Sequence, residues 1–279
     1  MENIDNIINL TEKLKVPEGR SKDDIWAELQ QKIEKGAKKE QKPIIKQAFF
    51  QYSIAASIII LFGMFFLMNM NKTTEIIVNA GQINTIFLPD SSEVIINSVS
   101  KLSYKSNKWE KDRIVSLNGE AYFKVQKGCT FIVKTPKGNI QVKGTIFNVF
   151  CRDNTLEVKC TEGTVLVNTK NNKTIELNKN EGIKFGTNNE IQNLNLTKSN
   201  SNLWTNGQFY FENTDLKYVF KELERQFNVK IKFPEESNRY FNGYFTNKDL
   251  KQALKMICKP MKLNFKIKEN NHVIITTIH

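Results

Sequence analysis

Three periods of apolar residues follow one another along this chain, and each predicts a different kind of element. In residues 1–46 the period is helical. Ile4, Ile7, Ile8 and Leu14 share one face, which Pro17-Glu18-Gly19 ends. Ser21 with Asp24 three residues on reads as a capping box, and it opens a second helix with Ile25, Trp26, Leu29 and Ile33 on one face. Residues 47–71 show no period, because 25 residues pass without a charge. At about 1.5 Å per residue such a run crosses the ~30 Å hydrocarbon core of a bilayer, so 47–71 is expected to be one transmembrane helix. A cleaved secretory signal fits less well. Its basic region would be 46 residues long, and Met68-Asn69-Met70 offers no small residues for a cleavage site.

From Glu75 the period drops to two. Glu93-Val94-Ile95-Ile96, Arg113-Ile114-Val115-Ser116-Leu117, Phe131-Ile132-Val133-Lys134 and Ile140-Gln141-Val142-Lys143 alternate. So do Leu156-Glu157-Val158-Lys159, Thr164-Val165-Leu166-Val167 and Thr174-Ile175-Glu176-Leu177. Turns are predicted at Pro89-Asp90-Ser91, Asn118-Gly119, Pro136-Lys137-Gly138, Asp153-Asn154, Glu162-Gly163 and Asn171-Asn172. Residues 75–186 are therefore an all-β unit of roughly ten strands, a sandwich, barrel-like or solenoid arrangement. Residues 187–203 are polar and read as a linker with room for one short strand.

Residues 204–279 contain an internal repeat. FENTDLKYVFKELERQFNVKIKF (211–233) lies over FTNKDLKQALKMICKPMKLNFKI (245–267), an offset of 34 residues. Asp215-Leu216-Lys217 matches Asp249-Leu250-Lys251, Phe220 matches Leu254, and Leu223 matches Ile257. Each copy reads strand, capped helix, strand, and a last strand follows at 272–277. The expected product is a small α+β domain of two βαβ copies.

Charge adds an orientation. Lys32, Lys35, Lys38, Lys39, Lys42 and Lys46 precede the apolar run against Glu34 and Glu40, whereas Lys72 stands alone beyond it until Lys101. The positive-inside rule then places 1–46 in the cytoplasm and 72–279 across the membrane. The net charge of +12 resides almost wholly in the exported part, which no nucleic-acid-binding spacing accompanies. Cys129, Cys151, Cys160 and Cys258 have no metal or C-x-x-C spacing and are expected as buried thiols. Pairing about Asp153-Asn154 would set Cys151 opposite Leu156, so no bridge to Cys160 is implied. With only His272 and His279, and no nucleophile elbow or phosphate loop, no catalytic residue, metal or cofactor is expected, and the chain is not read as an enzyme.

A family resemblance follows from LPDSSEVIIN (88–97), KLSY (101–104), RIVSLNGEAYFKV (113–125), FIVKTPKGNIQVKGTIFNVF (131–150) and EVKCTEGTVLV (157–167). In this order they resemble the FecR domain of membrane-bound sigma-factor regulators. The family carries Gly where Ser91 sits, so a turn of another type is expected there. Residues 204–279 resemble the short N-terminal domain of secretins and TonB-dependent transducers, as it follows FecR in Bacteroidetes chains. The resemblance implies a membrane-anchored multidomain protein with short cytoplasmic helices, one transmembrane helix, an all-β periplasmic FecR domain and a small α+β C-terminal domain. It implies a single-pass anti-sigma factor whose tail, through Ile25, Trp26, Leu29 and Ile33, holds an extracytoplasmic-function sigma factor. The other implied partners are a TonB-dependent outer-membrane transducer and an intramembrane protease. The last strand is the expected free edge, with Val273, Ile274 and Ile275 receiving the transducer. Some FecR-like regulators are cut at a Gly-Thr matching Gly144-Thr145, by hydroxyl attack on the preceding carbonyl. A Gly serving a bend explains the same dipeptide. The rival reading is an envelope scaffold or adaptor for a TonB-linked or secretin-like complex, which would need no cytoplasmic partner.

Overall fold

The computed structural model describes residues 19–37, 52–53, 55–65, 73–170, 173–186, 190–195, 202–233, 239–269 and 271–277. The chain divides into two compact units, Met1–Phe65 and Phe66–His279. In the first, helix α1 (Lys22–Ala37) starts where the sequence places it. The Ser21 hydroxyl accepts from the Asp23 backbone N–H at 3.3 Å, so the cap closes on Asp23. Asp23 and Asp24 in the first turn and Lys35 in the last complement the helix dipole. Residues 55–65 are also helical, and Ile58, Ile59, Ile60, Leu61, Phe62, Met64 and Phe65 are exposed. Among the described residues no helix is long and apolar enough to cross a membrane. Apart from Tyr52 and Ser53, the rest of the expected span lies outside the described residues. So do the apolar stripe at 4–14 and the Asn171-Asn172 turn.

Among the described residues, the second unit opens on an all-β domain of thirteen strands. These are β1 (Thr74–Val78), β2 (Asn84–Phe87), β3 (Glu93–Ile96), β4 (Ser100–Tyr104), β5 (Arg113–Lys124), β6 (Phe131–Thr135) and β7 (Gly138–Val142). There follow β8 (Ile146–Arg152), β9 (Thr155–Glu162), β10 (Val165–Thr169), β11 (Thr174–Leu177), β12 (Glu181–Phe185) and β13 (Ile191–Asn195). Neighbours run β11-β10-β7-β6-β5-β8-β9-β12-β13, with β1 on β4, β2 on β3, and both β3 and β4 on β5. The mostly polar β13 is the short strand within the linker.

The turn expected at Asn118-Gly119 does not form. β5 runs through it for 12 residues. Its first half pairs with β4 and β6, and from Gly119 onward it pairs with β8 and β3. Gly119 is thus the bend at which one strand passes between two halves of the sheet. Its φ is 125°, and a Cβ there would lie 2.4 Å from Ser100 Oγ, so only glycine fits. The two halves enclose one core, in which Phe123 stacks on Phe147 at 5.0 Å and meets Phe131 edge-on at 6.1 Å. The Pro89-Asp90-Ser91 turn keeps a left-handed residue without glycine. Ser91 has φ 63° and its N–H bonds the Leu88 carbonyl at 2.8 Å, at a conformational cost of about 1–2 kcal/mol.

The β8–β9 hairpin turns at Asp153 (φ 46°) and Asn154 (φ 61°), the two positive angles of a type I′ turn, and Cys151 faces Leu156. All four cysteines are free. Cys151, Cys160 and Cys258 are buried, but Cys129 is exposed, which corrects the expectation for that residue. Burial pushes the Cys160 thiol up to about 11 and the Cys258 thiol up to about 12, so both are poor nucleophiles.

The repeat folds as two matching copies: β14 (Gln208–Asp215), α2 (Leu216–Phe227) and β15 (Lys230–Lys232), then β16 (Tyr240–Thr246), α3 (Leu250–Cys258) and β17 (Leu263–Lys268). β18 (His272–Thr277) completes the domain. The matched aspartates cap the matched helices. Asp215 accepts from the Lys217 N–H at 2.8 Å and Asp249 from the Gln252 N–H at 2.7 Å. Leu223 and Ile257 are both fully buried. β14 pairs with β16, and a separate sheet runs β15-β18-β17.

Candidate functional site

The residues singled out from sequence fall in three places. Ile25, Trp26, Leu29 and Ile33 lie on one face of α1, 46%, 66%, 45% and 66% exposed, an apolar stripe that none of the described residues of its own unit covers. Gly144 and Thr145 join β7 to β8. Gly144 has φ 149°, and a Cβ there would meet the Lys127 Cα at 2.9 Å, so both the backbone conformation and the close approach require glycine. Thr145 is buried, and its hydroxyl donates to the Thr164 carbonyl at 2.9 Å.

The third place corrects an expectation. β18 is the central strand of its sheet, paired in parallel with β15 and antiparallel with β17, so it offers no free edge. Val273 and Ile275 are core residues, and only Ile274 of the three points outward. The last strand lies between the earlier two because it bonds Lys230–Lys232 on one side and Leu263–Lys268 on the other, which buries Val273 and Ile275. β15 is partly closed as well, since the Ile231 N–H donates to Glu224 Oε1 at 2.6 Å. An edge-adding partner would therefore use β17.

The sequence did not reveal the joint between the β domain and the repeat domain. Its centre is Glu120, 8% exposed on β5. Asn97 donates to one carboxyl oxygen at 2.8 Å, and Asn148 donates to the other at 2.9 Å. Each amide then turns its own oxygen toward the C-terminal region. Asn97 accepts from Gln226 of α2 at 2.8 Å, and Asn148 accepts from the Trp204 indole N–H at 3.1 Å. One carboxyl group thus sets the orientation of both docking amides. Gln226 also donates to Glu222 at 2.7 Å, and Glu222 accepts from Arg225. Lys221 and Arg225 reach Asp153 at the tip of the β8–β9 hairpin. The backbone joins in, with the Gly81 N–H on the Arg225 carbonyl at 2.8 Å.

Around this polar centre the contact is apolar. Tyr122 of β5 belongs to the core of the repeat domain, and Ile83, Ile95 and Ile146 pack on the same cluster. Arg152 fixes the adjoining loop by donating to the carbonyls of Val99 at 2.6 Å and Ser98 at 2.5 Å. Burial pushes the Glu120 carboxyl above its usual range and the charge of Glu222 adds to this, while Arg152 and the two amides pull the other way. The signal in the sequence was the loss of alternation. Glu120 to Phe123 and Phe147 to Val149 are buried in unbroken runs, so those strands are covered on both faces. Glu120→Gln leaves one acceptor for two amides, so either Asn97 or Asn148 must turn an N–H toward Gln226 or Trp204. Faster amide exchange across α2 is expected, with protection around Phe123 and Phe147 unchanged. Unchanged exchange in α2 would show that Glu120 does not hold the joint.

Fold and joint together define a chain in which an all-β domain carries a docked βαβ-repeat domain. Residues 74–166 match the model of the FecR protein family, and residues 208–275 match that of the FecR C-terminal family. Together these matches span more than half of the chain, which belongs to the FecR family. Two crystal structures of a proposed anti-sigma factor from Parabacteroides distasonis are similar, each 29% identical with a TM-score of 0.69. The matches cover 75% and 74% of this chain and 100% of theirs. No curated protein matches the chain.

Proposed function

We propose that this chain is a single-pass inner-membrane anti-sigma factor. The observation that carries the reading is the α1 stripe: four large apolar side chains exposed together, on a helix that packs on no core among the described residues. Such a face is the ligand half of a helix-in-groove contact, with Trp26 as its aromatic anchor. Membership of the FecR family and the likeness to a proposed anti-sigma factor support an extracytoplasmic-function sigma factor as the partner. The apolar run at 47–71 anchors the chain and sets the tail in the cytoplasm and the FecR domain in the periplasm. There a loaded TonB-dependent transducer engages the repeat domain, and the signal passes inward by proteolysis of the anchor, since a lone helix transmits rotation poorly.

The test is Trp26→Ala with Leu29→Ala in the full chain. Alanine is the better helix former, so α1 persists. The sigma factor should cease to co-purify with the membrane-extracted protein, and its regulon should rise without inducer. A fall in the regulon would show that the tail acts as a positive factor. Undiminished co-purification and an unchanged regulon would favour the scaffold reading instead.

A further inference from the structure

The outward face of the β15-β18-β17 sheet carries four lysines in a regular array. The strand register places Lys230 and Lys268 on either side of His272, and Lys232 and Lys266 on either side of Ile274. Residues paired across strands share a face. The intervening row, Ile231–Val273–Ile267, points the other way, where Val273 enters the domain core. All four lysines are exposed, and among the described residues none joins an ion pair. The next row, Asn264 and Thr276, is uncharged, and the acid of this hairpin, Glu269, lies past the strand ends.

With strands ~4.8 Å apart and alternate residues ~6.7 Å apart, the four stems rise from a rectangle of about 10 by 7 Å. At that spacing the ammonium groups repel within a screening length of ~8–10 Å, and an anionic surface relieves the repulsion. Lysines on edge strands also discourage edge pairing, but glutamates would serve equally, and among the described residues this face has one sign only. Lysine is a compact point charge that imposes no bidentate geometry, so the array suits a layer of headgroups better than one oriented phosphate.

We propose that this face docks on anionic phospholipid headgroups of the membrane that holds the chain, an inference that rests on the anchor reading above. β1 begins at Thr74, three residues after the uncharged run ends at Asn71. Tethering keeps lipid at high local concentration, so a few weak contacts suffice. The docked face holds the repeat domain, and through the Glu120 joint the β domain, in one orientation to the bilayer.

The experiment is lysine acylation read by mass spectrometry. The full chain is placed in lipid discs of equal parts phosphatidylglycerol and phosphatidylcholine, or of phosphatidylcholine alone. Lys230, Lys232, Lys266 and Lys268 should react severalfold more slowly in the anionic discs, while Lys251 and Lys255 on α3 react alike in both. At ~1 M salt, where screening falls to ~3 Å, the protection should vanish. Lys232→Glu with Lys266→Glu should remove it from Lys230 and Lys268 without altering circular dichroism. Equal reactivity in both discs overturns the proposal. So does stronger protection by polyglutamate in neutral discs, which would assign the face to an acidic protein segment. Preformed discs added to the chain in amphipol read the face without insertion, so failure to insert counts against the anchor alone.

Discussion

Replacing Arg113 with methionine is expected to destabilise the β domain by about 3–5 kcal/mol, because it removes the buried member of an ion pair and leaves the half-buried Asp90 and two backbone carbonyls without their donor. Arg113 is 4% exposed at the start of β5. Its guanidinium donates to Asp90 at 2.8 Å and to the Gln126 carbonyl at 2.9 Å, and it also bonds the Cys129 carbonyl. It lies 5.8 Å from the centre of the Phe131 ring, so one side chain ties the Pro89-Asp90-Ser91 turn to the strand that crosses the sheet. The same pair gives an acid dependence. Burial pushes the Asp90 carboxyl up, but hydrogen bonds from Arg113 and Ser92, with the Arg113 charge, hold it below its usual 3.8. A depressed folded value contributes stability above the unfolded value and loses it as pH falls through the folded one. Urea unfolding should thus show the wild type losing stability below about pH 4, a loss that is smaller in Arg113→Met because only the Ser92 hydrogen bonds then hold Asp90 down. A loss under 1 kcal/mol at neutral pH, or an unaltered acid limb, would show that Arg113 is not the tie.

Leu223→Ala and Ile257→Ala should each cost about 2–5 kcal/mol, since both remove a fully buried side chain at equivalent points of the repeat. Against a typical domain stability of ~5–15 kcal/mol, either change brings the repeat domain close to unfolding. Protease sensitivity should rise within 204–279 first, while the β domain keeps its amide protection. If one variant were silent and the other severe, the two copies would not share their load, and the equivalence drawn from the offset would fail.

Much of this architecture is written in local pattern. Period two in residues 75–186 yields strands because alternate side chains face one core, and β3 and β11 begin and end where the alternation does. The offset of 34 residues pairs Asp215 with Asp249 and Leu223 with Ile257 because a cap and a helix face are both short-range demands. The tail stripe was legible for the same reason. Asn118-Gly119 was misread because a turn and a bend within a strand use the same glycine. Only the neighbours on either side, β4 and β6 before it and β8 and β3 after it, distinguish the two.

Local pattern thus yields most of the elements, the repeat, the apolar run and the tail stripe, all of which depend on residues a few positions apart. The tertiary structure alone decided what depends on distant partners. It put β18 at the centre of its sheet, because strand order follows from which chain segments meet and not from their order in the chain. It joined Glu120 to Gln226 and Trp204 through Asn97 and Asn148, residues spread over 130 positions that no periodicity links. A buried polar group must find its partner wherever the fold supplies one, and that requirement has no signature along the chain.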